Sequence, residues 1–600
     1  MQNTLVLLAE TPVSDWSFPL IIAVDTMGIA PYVPPALRDI MNAKSELTAV
    51  EQDKLTINPD IDFKNAIAAR PLESIPPNVL AMFKWTGIYQ QLQRGFFMMR
   101  VRIPGGQLTA DQLDRIADLG DRYARGELCL TTRQTLQFHW LRKDDLWKIL
   151  EGVAEVGLDT KNACGDVVRN VVTCPLQGVC PHEVKDVRAL LTTLANDPEL
   201  KDQQRNLPRK HKITVNGCGR ACGLTLMNCQ GWFPVRRPAA GGGEEIGWRW
   251  FAGGGLGARP FRAKCIYAWV PENMVLPVAR ACVEVHRRLG DRRVRAFARL
   301  KIIVDKLGAA GFADEVEKVL LERGFPRLGK NDAPAFQPSF ARQAALGSQS
   351  LEKLERPTGE VDIAPPFLAG QPVIPQRQKG FNTVRVLIPR AEMSCAQARQ
   401  LARWAREFGN GTLMLTTRQN VQFPFVPDTS VASLQAQLRA AGFVFDGFEC
   451  LPDIVACVGT TVCNLAVADT SSACRRLDEA LVADRAMWEA VGPLRIHING
   501  CPNSCAHHWI ADLGLRGMRR RTATGTEEGF QICLGGDLEG AGHIAQPVCE
   551  TLASELVPTV RRVLELYLAK RTGTQETFGV FVRRVGPAQV AEWLGAPALA

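Results

Sequence analysis

Cys457-Val458-Gly459-Thr460-Thr461-Val462-Cys463 is followed about forty residues later by Cys501-Pro502-Asn503-Ser504-Cys505, and the rest of the chain is best read outward from these two thiol pairs. Their spacing, C-x5-C then C-x3-C, lets four thiols converge on one soft metal centre, and thiolate is the ligand that iron–sulfur clusters require. Four packed core cysteines are one alternative, since free Cys is often buried as a small apolar residue. A four-thiolate zinc site is another. Structural zinc usually takes C-x2-4-C, which fits the second pair and not the first. The spacing favours a cubane cluster.

The same spacing occurs earlier. Cys174, Cys180, Cys218 and Cys222 stand 283 residues before Cys457, Cys463, Cys501 and Cys505, and Asn216-Gly217 matches Asn499-Gly500. A wider pattern repeats with them. Phe96 to Pro104 has strand composition and ends at a Pro-Gly-Gly turn signal. Thr109-Ala110-Asp111-Gln112 then opens a helix with a capping box and an apolar face of Leu113, Ile116, Ala117 and Tyr123. Leu128 to His139 reads as strand, tight bend, strand. The order returns at Val384 to Pro389, at the helix opened by Ser394-Cys395-Ala396-Gln397, and at Leu413 to Phe423, with Arg100 and Arg133 mapping to Arg385 and Arg418 at an offset of 285. A repeat this long implies two homologous halves about a pseudo-twofold axis, not a solenoid of short units.

At the cysteine motif the sequence resembles the sirohaem-dependent sulfite and nitrite reductases, whose signature is C-x5-C followed by N/T-G-C-P-N-x-C, over about Trp85 to Phe581. The resemblance implies a mixed α/β (α+β), internally duplicated fold of ferredoxin-like half-domains and larger sirohaem/cluster domains. The expected boundaries are an N-terminal extension at 1–84, a first half-domain at 85–160, a first sirohaem/cluster domain at 161–327, and a linker rich in Pro, Gln and Ser at 328–379. A second half-domain at 380–447 and a second cluster domain at 448–600 complete the chain. It also implies that Cys457, Cys463, Cys501 and Cys505 hold a [4Fe–4S] cluster, with Cys505 also ligating sirohaem iron. Arg100, Arg169, Lys210 and Lys212 match substrate-binding positions. Arg102, Arg133, Gln137 and His139 match positions lying against the macrocycle.

Single-chain assimilatory relatives lack the first-half thiols, so this chain looks more like the arrangement in which each half carries a cluster. A second [4Fe–4S] site at Cys174, Cys180, Cys218 and Cys222 is expected, the alternatives being relic cysteines packed in the core or a second sirohaem site. The cation box does not repeat: Arg169 and Lys210 correspond to Pro452 and Pro493, and only Lys212 keeps a basic counterpart, Arg495. One complete anion site is therefore expected. Tyr89 and Cys164 are candidates for the Tyr–Cys thioether of some assimilatory relatives, with Cys164 five residues before Arg169.

Six hundred residues at 46% hydrophobic content suggest several cores, and the formal charge of +9 is compatible with anionic substrates and an acidic donor protein. No nucleic-acid motif is present. The apolar runs Thr4–Ala9 and Phe18–Val24 are too short to span a membrane and lack a basic n-region, so neither export nor a membrane anchor is expected. Eighteen cysteines then read as ligands and core residues of a cytoplasmic protein without disulfides. Gly241–Gly243 and Gly253–Gly255 lack the strand–helix context of a dinucleotide fingerprint. Electrons are expected from a separate ferredoxin or flavoprotein subunit. Lys212, at a position where nitrite enzymes tend to carry Asn, favours sulfite reduction to sulfide over nitrite reduction to ammonia. A cobalamin-pathway oxygenase relative or a non-catalytic iron–sulfur carrier is more remote.

Overall fold

Two five-stranded sheets form the centre of the molecule, and each borrows its last strand from the other half. In the first the order is Ile88–Gln90, Phe96–Val101, Leu136–Arg142, Glu127–Leu130, Glu392–Ser394. In the second it is Val373–Pro375, Phe381–Val386, Val421–Pro427, Thr412–Leu415, Gln107–Thr109. The short strands ahead of the two equivalent helices are exchanged. This computed structural model describes residues 47–328 and 369–595, apart from 59, 204, 205, 220, 221, 240, 524 and 538–541. Most of the expected linker, and positions 1–46 of the expected extension, lie outside the described residues.

The exchange follows from local signals. Thr109 and Ser394 both close capping boxes, with Gln112 and Gln397, so each helix starts immediately after its exchanged strand. The helices Ala110–Tyr123 and Cys395–Phe408 pack on each other, with Leu113, Ile116, Ala117, Leu401, Ala402 and Ala405 inside one apolar core that runs through both half-domains. Strand Val373–Pro375 pairs with Phe381–Val386, so the second half-domain begins several residues before the expected position 380. Its composition is that of the Pro-rich stretch preceding it, which hid it in the sequence.

Each larger domain has a mixed sheet. The first runs Lys264–Val270, Glu244–Ala252, Gln230–Pro238, Ile213–Val215, Val172–Thr173, and the second runs Val455–Ala456, Ile496–Asn499, Leu513–Thr522, Gly525–Leu534, Gln546–Leu552. Separate cores support the two domains, and Leu226, Phe233, Phe251, Trp509 and Ile510 join them. Residues preceding the first half-domain brace the loops of the future site: Lys54, in helix Ala49–Thr56, pairs with Asp166 at 2.9 Å and donates to Leu207 O at 2.9 Å, while Glu51 pairs with Arg292 at 2.5 Å. No described helix is long and apolar enough to cross a membrane. None of the eighteen cysteines is joined in a disulfide.

Candidate active site

Extended segments bring the cations together. Arg169 N–H donates to His211 O at 2.8 Å, and Val168 bridges to His211, so the Arg169 loop lies alongside Lys210-His211-Lys212. In an extended segment alternate side chains share a face. His211 turns into the core, where its Nδ1 meets His286 Nδ1 at 3.1 Å, and the flanking Lys210 and Lys212 turn the other way, half-buried. Gly165, at φ +83° with Trp85 against its Cα, turns the preceding loop. The carbonyls this turn exposes hold two guanidinium groups: Arg169 donates to Gly165 O at 2.8 Å and to Ala163 O at 3.1 Å, and Arg100 donates to the same Ala163 O at 3.2 Å. Arg133, from the bend between strands Glu127–Leu130 and Leu136–Arg142, donates to Asn228 Oδ1 at 2.9 Å and Asn170 O at 2.5 Å. With its amide oxygen turned to Arg100, Gln137 accepts from Nη2 at 2.8 Å.

Among the described residues no carboxylate pairs with Arg100, Arg133, Arg169, Lys210 or Lys212. Arg133 and Arg169 are only 9% and 8% exposed. Stranding a buried charge without its partner costs about 3–5 kcal/mol, a large fraction of a typical total stability of roughly 5–15 kcal/mol. The strain is visible in proton affinities. Burial, with the nearby Arg299 charge, pushes Lys210 down to about 7. Burial and the charges of Arg133 and Lys210 hold Lys212 well below the usual ammonium range. Burial and Arg169 bring Arg133 down to about 9, and burial and Arg100 bring His139 down to about 4.

Opposite these cations stands the thiol motif. Thr132 Oγ1 donates to Cys505 O at 2.8 Å, Leu92 N–H to Val462 O at 3.0 Å and Gln93 Nε2 to Thr461 O at 2.8 Å, so the first half-domain is the seat for the second domain's cysteine loops. Cys505 is exposed, and its thiol is close enough to act electrostatically on both Arg100 and Lys210. The other three sulfurs accept backbone N–H groups: Cys457 from Gly500 at 3.2 Å and from Gly459, Cys463 from Leu465 and Ala466, and Cys501 from Asn503. Such donors stabilise cluster thiolates.

The polar atoms left over describe what fits between. Arg133 Nε, Arg299 Nε, Arg516 Nε, both His139 nitrogens, His507 Nδ1 and both His508 nitrogens are buried without a partner. Each unsatisfied buried group costs about 1–3 kcal/mol. Nearly all can donate, on both sides of the domain junction. A flat macrocycle rich in carboxylates, with a thiolate-bound metal, suits this donor set. Arg299 and His507 were not legible in the sequence, because neither belongs to a motif. Arg299 precedes helix Leu300–Glu322 and acts on Lys210, Lys212 and Arg133, and His507 faces Lys212 and Arg133.

Arg102, expected against the macrocycle, is 6% exposed, and its guanidinium donates to both Asp159 oxygens at 2.9 Å, to Ala195 O at 2.8 Å and to Asn196 Oδ1 at 3.2 Å. Four of its five N–H donors are committed within the protein. It braces the half-domain against helix Arg188–Asn196. Tyr89 and Cys164 are neighbours: Cys164 is buried, Tyr89 is half-buried, and Tyr89 Oη accepts from Gly165 N–H at 3.4 Å.

The second copy is the internal control. Each inherited cation there has a carboxylate: Arg385 with Glu449 at 3.6 Å, Arg418 with Asp453 at 2.7 Å, and Arg495 with Asp512 at 2.9 Å and Asp537 at 3.3 Å. Phe448 stands where the first copy has Gly165, is fully buried and stacks under Arg385 at 4.0 Å. The pseudo-equivalent anion site is neutralised and filled.

Comparison with known proteins agrees with this geometry. A family model described as the nitrite and sulphite reductase 4Fe-4S domain matches residues 164–323 and 448–598, and one for the nitrite/sulfite reductase ferredoxin-like half domain matches 89–156 and 374–441. The chain is 29% identical to an assimilatory ferredoxin-dependent nitrite reductase of Haloferax mediterranei, over 89% of this chain and 90% of that one. It is 30% identical to a ferredoxin sulfite reductase of Mycolicibacterium paratuberculosis, over 87% and 91%. The solved structure of the NirA protein of Mycobacterium tuberculosis superposes with a TM-score of 0.77 at 28% identity, covering 92% of this chain and 99% of that one. An iron–sulfur cluster is implied by the matched domain, and relatives of both specificities are equally near. By these matches across both of its halves, the chain belongs to the nitrite and sulfite reductase family and is an oxidoreductase enzyme.

Proposed function

We propose that this enzyme reduces sulfite to sulfide by six electrons, with Cys457, Cys463, Cys501 and Cys505 the residues that would hold a [4Fe–4S] cluster and Cys505 the one that would also ligate sirohaem iron. The reading rests on one observation: Arg100, Arg169, Lys210 and Lys212 converge unneutralised opposite Cys505, while their counterparts in the second copy are paired or replaced. When bound, sirohaem supplies the redox-active iron and a conjugated ring, and Arg133, Arg299, His139 and His507 offer the donors that would hold its carboxylates.

The chain's own residues then do three things. Arg100 and Arg169, fixed through Ala163 O, present N–H groups at set positions, which orients an oxyanion without reorganisation. Two lysines on one face of Lys210-His211-Lys212, each able to take up a proton as an anion binds, match a dianion better than a monoanion. Oxygens removed from the anion leave as water, which needs protons. Lys210, held near 7, is poised at neutral pH to take up a proton as the anion binds and to pass it on as the departing oxygen becomes the stronger base. Ferredoxin is the proposed donor, because relatives with both substrates carry it in their names. Steady-state assays of the holoenzyme with reduced ferredoxin and each anion test the reading. It expects kcat/KM for sulfite to exceed that for nitrite, and the reverse order would assign the enzyme to nitrite.

A further inference from the structure

The buried first-half cysteines remain unused by this mechanism. Cys174, Cys180 and Cys218 are each 5% exposed, and Cys174 and Cys222 side chains touch. Cys174, Cys180 and Cys222 sit in a small apolar cluster with Leu176 and Val179, closed by Ile374 and Phe425 from the second half-domain. Several of the contacts that seat the main cluster loops recur here. Arg377 N–H donates to Val179 O at 2.9 Å and Gln378 Nε2 to Gly178 O at 2.9 Å, matching the Leu92 and Gln93 contacts. Val184 and Lys185 N–H donate to Gly217 O at 2.7 and 3.0 Å, as Val467 and Ala468 do to Gly500 O at 2.8 and 3.2 Å. Asn216 Oδ1 accepts from Gly223 N–H at 3.0 Å, as Asn499 Oδ1 does from Ala506 at 2.7 Å. Cys180 N–H donates to Leu176 O at 2.9 Å, as Cys463 does to Gly459 O at 3.1 Å. Leu176 N–H reaches Cys174 Sγ at 3.4 Å, the counterpart of the Gly459 bond to Cys457.

The pseudo-equivalent anion and ring site, however, is closed: buried Phe448 stacks on Arg385 at 4.0 Å, and Glu449, Asp453, Asp512 and Asp537 pair with the cations there, including Arg418, the counterpart of Arg133. A polycarboxylate would meet four carboxylates there.

From the paired cysteine frame and the blocked ring site, we infer that Cys174, Cys180, Cys218 and Cys222 hold a second [4Fe–4S] cluster with no tetrapyrrole beside it. The chain is thus asymmetric in cofactors: two clusters, one macrocycle. The inference is independent of which anion is reduced.

The test is stoichiometry on anaerobically purified holoenzyme, before and after reconstitution with ferrous iron and sulfide. About eight acid-labile sulfides, about eight irons beyond the haem iron and one extractable tetrapyrrole per chain are expected. Cys222→Ala and Cys180→Ala should each remove about half of the sulfide and leave the tetrapyrrole in place. After dithionite reduction, a cluster EPR signal absent from Cys222→Ala should survive in Cys505→Ser. Wild-type protein that holds only about four sulfides after reconstitution overturns the second cluster without recourse to a variant. Two tetrapyrroles per chain overturn the asymmetry.

Discussion

Cys505 carries the central assignment at the scale of single residues. Replacing its sulfur by oxygen puts a poor bridge between two soft centres, so Cys505→Ser should abolish reduction of either anion and alter the haem spectrum. An unchanged spectrum and rate would refute the bridge. Lys212→Asn removes the second ammonium group and should lower the sulfite-to-nitrite ratio of kcat/KM by about tenfold, the effect of roughly 1.4 kcal/mol. An unchanged ratio would mean that Lys212 does not select. Lys210 makes a pH prediction. Its folded value of about 7 lies below the roughly 10.4 of an unfolded chain, so between these values the unfolded state binds the extra proton. Stability of the sirohaem-free protein should therefore rise with pH from about 7 toward 10 and be lost on acidification through that window. Denaturant melts at pH 7 and 9 check this, and Lys210→Met should show a smaller rise than wild type.

Among the elements, the crossing of helices Ala110–Tyr123 and Cys395–Phe408 depends on one missing side chain. A Cβ on Gly120 would run into Cys395 Sγ. Overpacking of this kind costs about 1–3 kcal/mol, so Gly120→Ala should lower Tm and Gly120→Ala/Cys395→Ala should recover much of the loss. Arg399 with Asp118 and Asp121, and Arg406 with Asp111 and Asp114, tie the same helices at 2.5–2.8 Å, but these pairs are largely exposed and each is worth little beside the packing. The strand–helix–strand order and both capping boxes were readable from residue spacing. The strand exchange was not, because Leu108 and Met393 specify a buried face and not which neighbouring sheet supplies it.

Across the whole molecule, each half completes the other. Its half-domain sheet ends on the other half's strand, and each cysteine motif rests on the other half's half-domain. Neither half should be stable alone, whereas residues 1–328 and 369–600 co-expressed as two chains should copurify. Size-exclusion chromatography of the pair is the measurement, and two independently folded monomers would contradict the exchange.

Sequence by itself determined the duplication, the eight paired thiols and the loss of Arg169 and Lys210 equivalents at Pro452 and Pro493, because these are matters of spacing and identity along the chain. Charge compensation is a property of space. Arg100, Arg102 and Arg385 look alike in the sequence, yet one donates to the Ala163 carbonyl with no carboxylate beside it, one is spent on Asp159 and one is closed by Glu449 and Phe448. Asp159 and Glu449 lie 57 and 64 residues from the arginines they neutralise, and Arg299 reaches the box from beyond any motif. Only the folded chain sets those distances, and with them decides which of two equivalent sites keeps its cations without carboxylate partners.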